Sequence, residues 1–135
     1  MIGRLGIIGV GHLAGYLVEG VTRAAPGMQI VLSPRNLERS AHLAKRPQVT
    51  VAADNQGVVD SAVLILLATR PGDALAACQP LAFGRGQMLV SVAVGVPLAA
   101  LEPAVAPAEA VRALPISCIS PRKGRRSIMP IWPDY

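Results

Sequence analysis

The sequence predicts a doubly wound α/β domain built on a mostly parallel, Rossmann-type sheet. Three observations predict it. Strand-like apolar runs alternate with helix-like segments along the chain. Apolar residues make up 52% but aromatics only 3%, so the core must be Val, Leu, Ile and Ala, the composition of strands buried on both faces. A glycine cluster, GVGHLAG (9–15), stands between the first run and the first periodic segment, where such folds turn from strand to helix. A chain of 135 residues suits one domain, without internal repeat or low-complexity linker, so 1–135 is read as a single dinucleotide-binding unit.

The elements follow in order. LGIIGV (5–10) is a first strand, and Leu13, Tyr16, Leu17 and Val21 recur at helical spacing up to about Ala25. MQIVLS (28–33) is a second strand. A helix over 33–46 follows, with Ser33 as its cap and Pro34 in its first turn. VTVAA (49–53) is a short strand and NQGVVDS a brief helix or turn. AVLILLAT (62–69), the most apolar run, is a central strand, and Pro71 opens the helix PGDALAACQPL. QMLVSVAVG (87–95) is buried strand, PLAALEPAV a short helix, and AEAVRALPIS (108–117) a further strand. SIMPIWP (127–133) reads as an edge strand, where proline is tolerated. This alternation implies right-handed βαβ units.

Composition narrows the function classes. No run reaches the length of a membrane span, and the start lacks a secretory pattern, so the chain reads as cytoplasmic with no membrane partner. Cys78 and Cys118 have no metal-ligand spacing and read as small buried thiols. The net charge of +5 gathers at the end: Arg112, Arg122, Lys123, Arg125 and Arg126 face only Asp134. A solvated basic turn accounts for them better than nucleic acid, because no aromatics interleave.

Gly9-Val10-Gly11-His12-Leu13-Ala14 is a G-x-G-x-x-A fingerprint. Gly9 permits the tight turn, Gly11 lets backbone amides approach a pyrophosphate, and Ala14 permits close strand–helix packing. The helix that follows directs its positive end at the phosphates. A purely structural turn is the alternative. His12 sits at that helix start, as a cap or an incidental neighbour rather than a catalyst. After the second strand, VLSPRN offers Ser33, Arg35 and Asn36 and no acid before Glu38. A carboxylate there would take ribose hydroxyls and repel a 2′-phosphate, whereas a guanidinium and a hydroxyl would hold it, which favours NADP over NAD. Ser33 as a helix cap and Arg35 as a solvated cation are the plainer alternatives.

With these residues in view, the chain resembles the pyrroline-5-carboxylate reductase family in its N-terminal cofactor domain. GIIGVGHLAGYLVEG resembles the family's opening, and LSPRN its NADP-selecting turn. AADNQGVVDSAVLILLATRPGD is similar to its asparagine turn, apolar strand and Arg-Pro element, QMLVSVAVGVPLAALE to its S-x-x-A-G-V segment, and VRALPIS to its R-x-M-P-N-T element. The resemblance implies Gly9, Gly11, His12 and Leu13 around the pyrophosphate, Ser33 and Arg35 with neighbouring Asn36 at the 2′-phosphate, and Asn55 near the adenosine ribose. It implies Ala68, Thr69, Arg70 and Pro71 along the cofactor, and Ala93, Gly95 and Pro115 near the nicotinamide. Helix capping by Asp54 and Asn55, a loop at Arg70-Pro71 and a turn at 93–96 are the bland readings of the same residues.

Two departures stand out. Ile116-Ser117 replaces the family's Asn-Thr, and His12 its usual Asn. The family's C-terminal helical domain, which makes the dimer and completes the substrate site, is absent from 1–135. Three functions remain: an NADP-dependent reductase passing hydride to a cyclic imine, of the proline biosynthesis type; an NADP-binding module without independent catalysis; and, least, a nucleic-acid binder. No residue stands out as an acid–base catalyst, His12 and His42 included. A domain cut from a dimeric family exposes apolar surface, so a homo-oligomer is expected.

Overall fold

The computed structural model describes residues 3–34 and 37–113. Arg35, Asn36, Pro115, the Ile116-Ser117 pair, Cys118, the basic cluster from Arg122 to Arg126 and the expected strand at 127–133 lie outside the described residues.

Among the described residues, six strands alternate with five helices: β1 Arg4–Ile8, α1 His12–Ala24, β2 Gln29–Leu32, α2 Leu37–Leu43, β3 Val49–Val51, α3 Asn55–Ser61, β4 Leu64–Leu67, α4 Pro71–Cys78, β5 Met88–Ser91, α5 Leu98–Val105 and β6 Glu109–Arg112. The strands form one sheet in the order β3-β2-β1-β4-β5-β6, every pairing parallel. Gly6 pairs with Val31 on one side and Ile65 on the other, which fixes β1 as the centre.

Alternation along each strand sends neighbouring side chains to opposite faces. Ile7, Ile30, Leu32 and Leu66 pack with Ala14 and Val18 of α1 and Leu43 of α2. Ile8, Val31, Ile65, Leu67 and Leu89 pack on the other face with Val58 and Val59 of α3, Cys78 of α4, and Leu101 and Val105 of α5. The aliphatic core that the composition demanded is thus two thin layers, one on each side of the sheet. Helix α3 lies close on β1: a Cβ on Gly6 would come within 2.7 Å of Val58 Cγ1, so only glycine fits there.

The helix expected over 33–46 is described as Leu37–Leu43. Ser33 does not start it. Its backbone N–H donates to Ile7 O at 2.9 Å, which keeps it in the β-ladder, and its carbonyl accepts from Ser40 Oγ at 2.7 Å. Strands are also shorter than their apolar runs. Ala62 and Val63 precede β4 because the Ala62 N–H closes α3 on Val59 O at 3.5 Å, and the strand at 108–117 is described as Glu109–Arg112. The brief helix over NQGVVDS has the expected bounds, with Asp54 as its cap accepting from the Gly57 N–H at 2.8 Å.

Candidate dinucleotide site

In a parallel sheet all carboxyl ends share one edge, and the order reverses between β1 and β4. There α1 leaves toward one face and α4 toward the other, opening a crevice; open α/β sheets take their ligands at this point. The Ala68 N–H still donates to Ile8 O at 2.8 Å, and immediately beyond it the two chains part. The resulting cleft, about 590 Å³, is lined by Gly9, Val10, Gly11, His12, Arg39, Ala68, Thr69, Arg70 and Asp73.

The two turn glycines answer to different constraints. Gly9 has φ +88°, and a Cβ there would fall 2.7 Å from Thr69 N and 2.9 Å from the Ala68 carbonyl carbon. The protein itself requires glycine at that position. Gly11 is the N-cap of α1 at φ −115°, ψ −156°, open to any residue, and a Cβ there meets no atom of the described residues within 4 Å. Neither strain nor protein packing explains the second glycine. The turn leaves the backbone at the amino end of α1 open to approach. Ala14 at the third fingerprint position is fully buried under the helix.

Thr69 lines the same cleft. Its Oγ1 is buried yet has no hydrogen-bond partner among the described residues. Buried hydroxyls left unpaired are rare in folded proteins. His12 is the first residue of α1 and makes no capping bond; its Nδ1 lies 3.4 Å from Arg39 Nη1 instead.

Leu13, Ser33, Asn55, Pro71, Ala93 and Gly95, also singled out by sequence, are not among the residues that line this cleft. Leu13 is half-buried in the first turn of α1. Ser33, just past β2, is fully buried, and its hydroxyl donates to Asn55 Oδ1 at 2.7 Å. Asn55, the first residue of α3, also borders a depression of about 400 Å³ that shares Asp73 with the cleft. Pro71 is the first residue of α4, with Arg70 as its N-cap, and both are exposed. Beyond β5, Ala93 is buried with its N–H on Ser91 Oγ at 3.3 Å, and Gly95 is exposed at φ +81°. The bland readings hold here as local structure: Asp54 caps, Pro71 starts a helix, and 93–96 is a turn.

Sequence reasoning missed three lining residues, Val10, Arg39 and Asp73. Arg39 is four residues after Arg35 in the sequence, and Asp73 is the third residue of the helix that Pro71 opens; both spacings were visible. Burial in α4 pushes the Cys78 thiol up to about 11, so it stays protonated at neutral pH and is no nucleophile. Among the described residues, no cluster of His, Cys, Asp and Glu could hold a metal, and no helix is long and apolar enough to cross a membrane.

Residues 4–95 match the family described as NADP oxidoreductase, coenzyme F420-dependent. The chain belongs to that family. It is 33% identical over 102 residues to the pyrroline-5-carboxylate reductase of Pseudomonas aeruginosa, a match covering 73% of this chain and 37% of the relative. A solved pyrroline-5-carboxylate reductase from Coxiella burnetii superposes with a TM-score of 0.77 at 26% identity, over 87% of this chain and 46% of that one. The enzyme from Streptococcus pyogenes gives 0.70 at 28% identity, over 83% and 42%. The chain therefore spans less than half the length of each of these relatives. Within this oxidoreductase family, the part matched here holds every lining residue of the β1/β4 cleft.

Proposed function

We propose that the chain is the dinucleotide-binding part of an NADP-dependent reductase that acts on a cyclic imine, as its pyrroline-5-carboxylate reductase relatives are named to do. The observation that carries the reading is Gly11, a glycine that no described residue crowds, at the switch point of the sheet in a family of NADP oxidoreductases. NADPH, when bound, supplies hydride to the imine carbon, giving the cyclic amine of proline formation.

The protein's share is positioning and electrostatics. Gly9, Gly11, His12 and Leu13 would receive the pyrophosphate at the amino end of α1. Ser33, Arg35 and Asn36 would select the 2′-phosphate, with NAD disfavoured, and Asn55 would stand near the adenosine ribose. Ala68, Thr69, Arg70 and Pro71 would run along the cofactor, the Thr69 hydroxyl finding there the partner that the described fold does not give it. Ala93, Gly95 and Pro115 would border the nicotinamide. We read the protein as cytoplasmic and homo-oligomeric, with residues 1–135 as one dinucleotide domain and the substrate completed from outside it.

A second reading, a cofactor-binding module without independent turnover, is favoured by Ile116 in place of an amide side chain. Oxidation of NADPH with pyrroline-5-carboxylate by the purified chain separates the two. Turnover supports the reductase; tight NADPH binding without turnover supports the module. Replacing Arg35 by Asp tests the selector: NADPH should weaken while NADH does not.

A further inference from the structure

His12, exposed at the start of α1, and Arg39 of α2 both line the β1/β4 cleft. Arg39 Nη1 lies 3.4 Å from His12 Nδ1. A guanidinium has donors only, so this contact requires a bare Nδ1, which the neutral ring can offer and the imidazolium cannot. The pairing therefore belongs to an uncharged His12. Among the described residues, the other charged groups that line the cleft are Arg70 and Asp73, at the head of α4. The nearest acid on α1 itself, Glu19, stands about two turns away and is engaged with Arg23 and Arg46 at 3.3 and 3.9 Å.

We propose that dinucleotide binding draws a proton onto His12, so that nucleotide affinity rises as pH falls through neutrality; the proposal rests on the cofactor reading given above. A diphosphate offers acceptors only. An imidazolium donates from both nitrogens and carries the opposite charge, whereas the neutral ring has a single N–H to give. The ring and the anion therefore suit each other best when His12 is charged. Imidazole changes charge between about pH 5 and 8, so the exchange falls near neutrality. Taking up the proton costs the Arg39 contact, which at 3.4 Å is long for a hydrogen bond, so the loss is small. The sign follows from linkage: the nucleotide-bound form holds more proton than the free form, so added protons strengthen binding. His42, on α2, is exposed and does not line the cleft, which makes it an internal control.

Calorimetry of NADH binding at about pH 7, repeated in buffers of different ionisation enthalpy, counts the protons exchanged. NADH is the first probe because the 2′-phosphate of NADPH itself titrates near that pH. The wild-type chain should take up a fraction of a proton per NADH bound, and His12→Asn, with an uncharged amide in the same place, should take up none. From about pH 8 to 6, NADH affinity should rise about threefold or more for the wild type and stay level for the variant. NADPH should show the same difference between the two proteins. Equal proton exchange in both proteins, or none in the wild type, overturns the proposal. A wild-type chain that binds neither nucleotide removes the cofactor reading, and the proposal with it. Proton NMR of the histidine rings gives a second measurement on the unaltered chain. Saturating NADH should move the His12 titration to higher pH and leave that of His42 in place; an unmoved His12 contradicts the proposal.

Discussion

The Ser33 hydroxyl donates to Asn55 Oδ1 at 2.7 Å, tying the end of β2 to the first residue of α3. Ser33 is fully buried and Asn55 half-buried, so the bond is partly shielded from water. A residue whose sequence context suggests a helix cap or a phosphate ligand therefore works first as a clamp between two segments of the sheet edge. Ser33→Ala should lower unfolding free energy by about 1–2 kcal/mol, because Asn55 loses a buried partner. Urea denaturation checks this; an unchanged midpoint would show the bond to be dispensable.

Gly9 carries both a left-handed backbone and a contact too close for any side chain. Gly9→Ala adds αL strain and forces the 68–69 backbone away from β1. The expected loss is about 2–4 kcal/mol, at the upper range of single-site effects. Thermal unfolding followed by circular dichroism reads it directly.

Cys78 links stability to alkaline pH. Burial raises its thiol from 9.0 to about 11 in the folded chain, so the unfolded chain releases the proton first. The sign follows: stability is whole below pH 9 and falls as pH rises toward 11, by roughly 2–3 kcal/mol from this group. The pH dependence of the urea midpoint should be steeper for the wild type than for Cys78→Ala between those values. Parallel curves would mean that the thiol is not desolvated.

Asp73 places a carboxylate in the wall of a cleft that we read as an anion site. Asp73→Asn should tighten NADPH binding about two- to fivefold at low ionic strength, and the gain should shrink as salt is added. The same change removes a favourable charge from the first turn of α4, at a cost of a few tenths of a kcal/mol. Calorimetric titrations at two salt concentrations measure the first effect.

Much of this architecture was legible along the chain because the signals were local. The glycine turn, the apolar runs of β1 and β4, Pro71 at the head of α4 and Asp54 at the head of α3 each declare themselves within a few residues. What escaped depends on distant partners. Ser33-Pro34 looks like a cap and first turn, but the Ser33 N–H and hydroxyl go to Ile7 and Asn55, which no local pattern reveals. Arg39 and Asp73 enter the cleft only because α2 and α4 dock on opposite faces of the sheet and converge at its edge. Strand ends, too, were set by pairing rather than by hydrophobicity, as the exposed Val63 shows beside the buried Ile65.

The central claim is that the turn from Gly9 to Gly11 holds a dinucleotide phosphate, and Gly11→Ala tests it most directly. Alanine fits the backbone angles and its Cβ touches no described residue, so the fold should lose about 1 kcal/mol or less. NADPH affinity, measured by calorimetry on the same folded variant, should fall by at least about tenfold, since the added methyl occupies the space a pyrophosphate would approach. A variant that melts like the wild type and binds NADPH equally well would contradict the account.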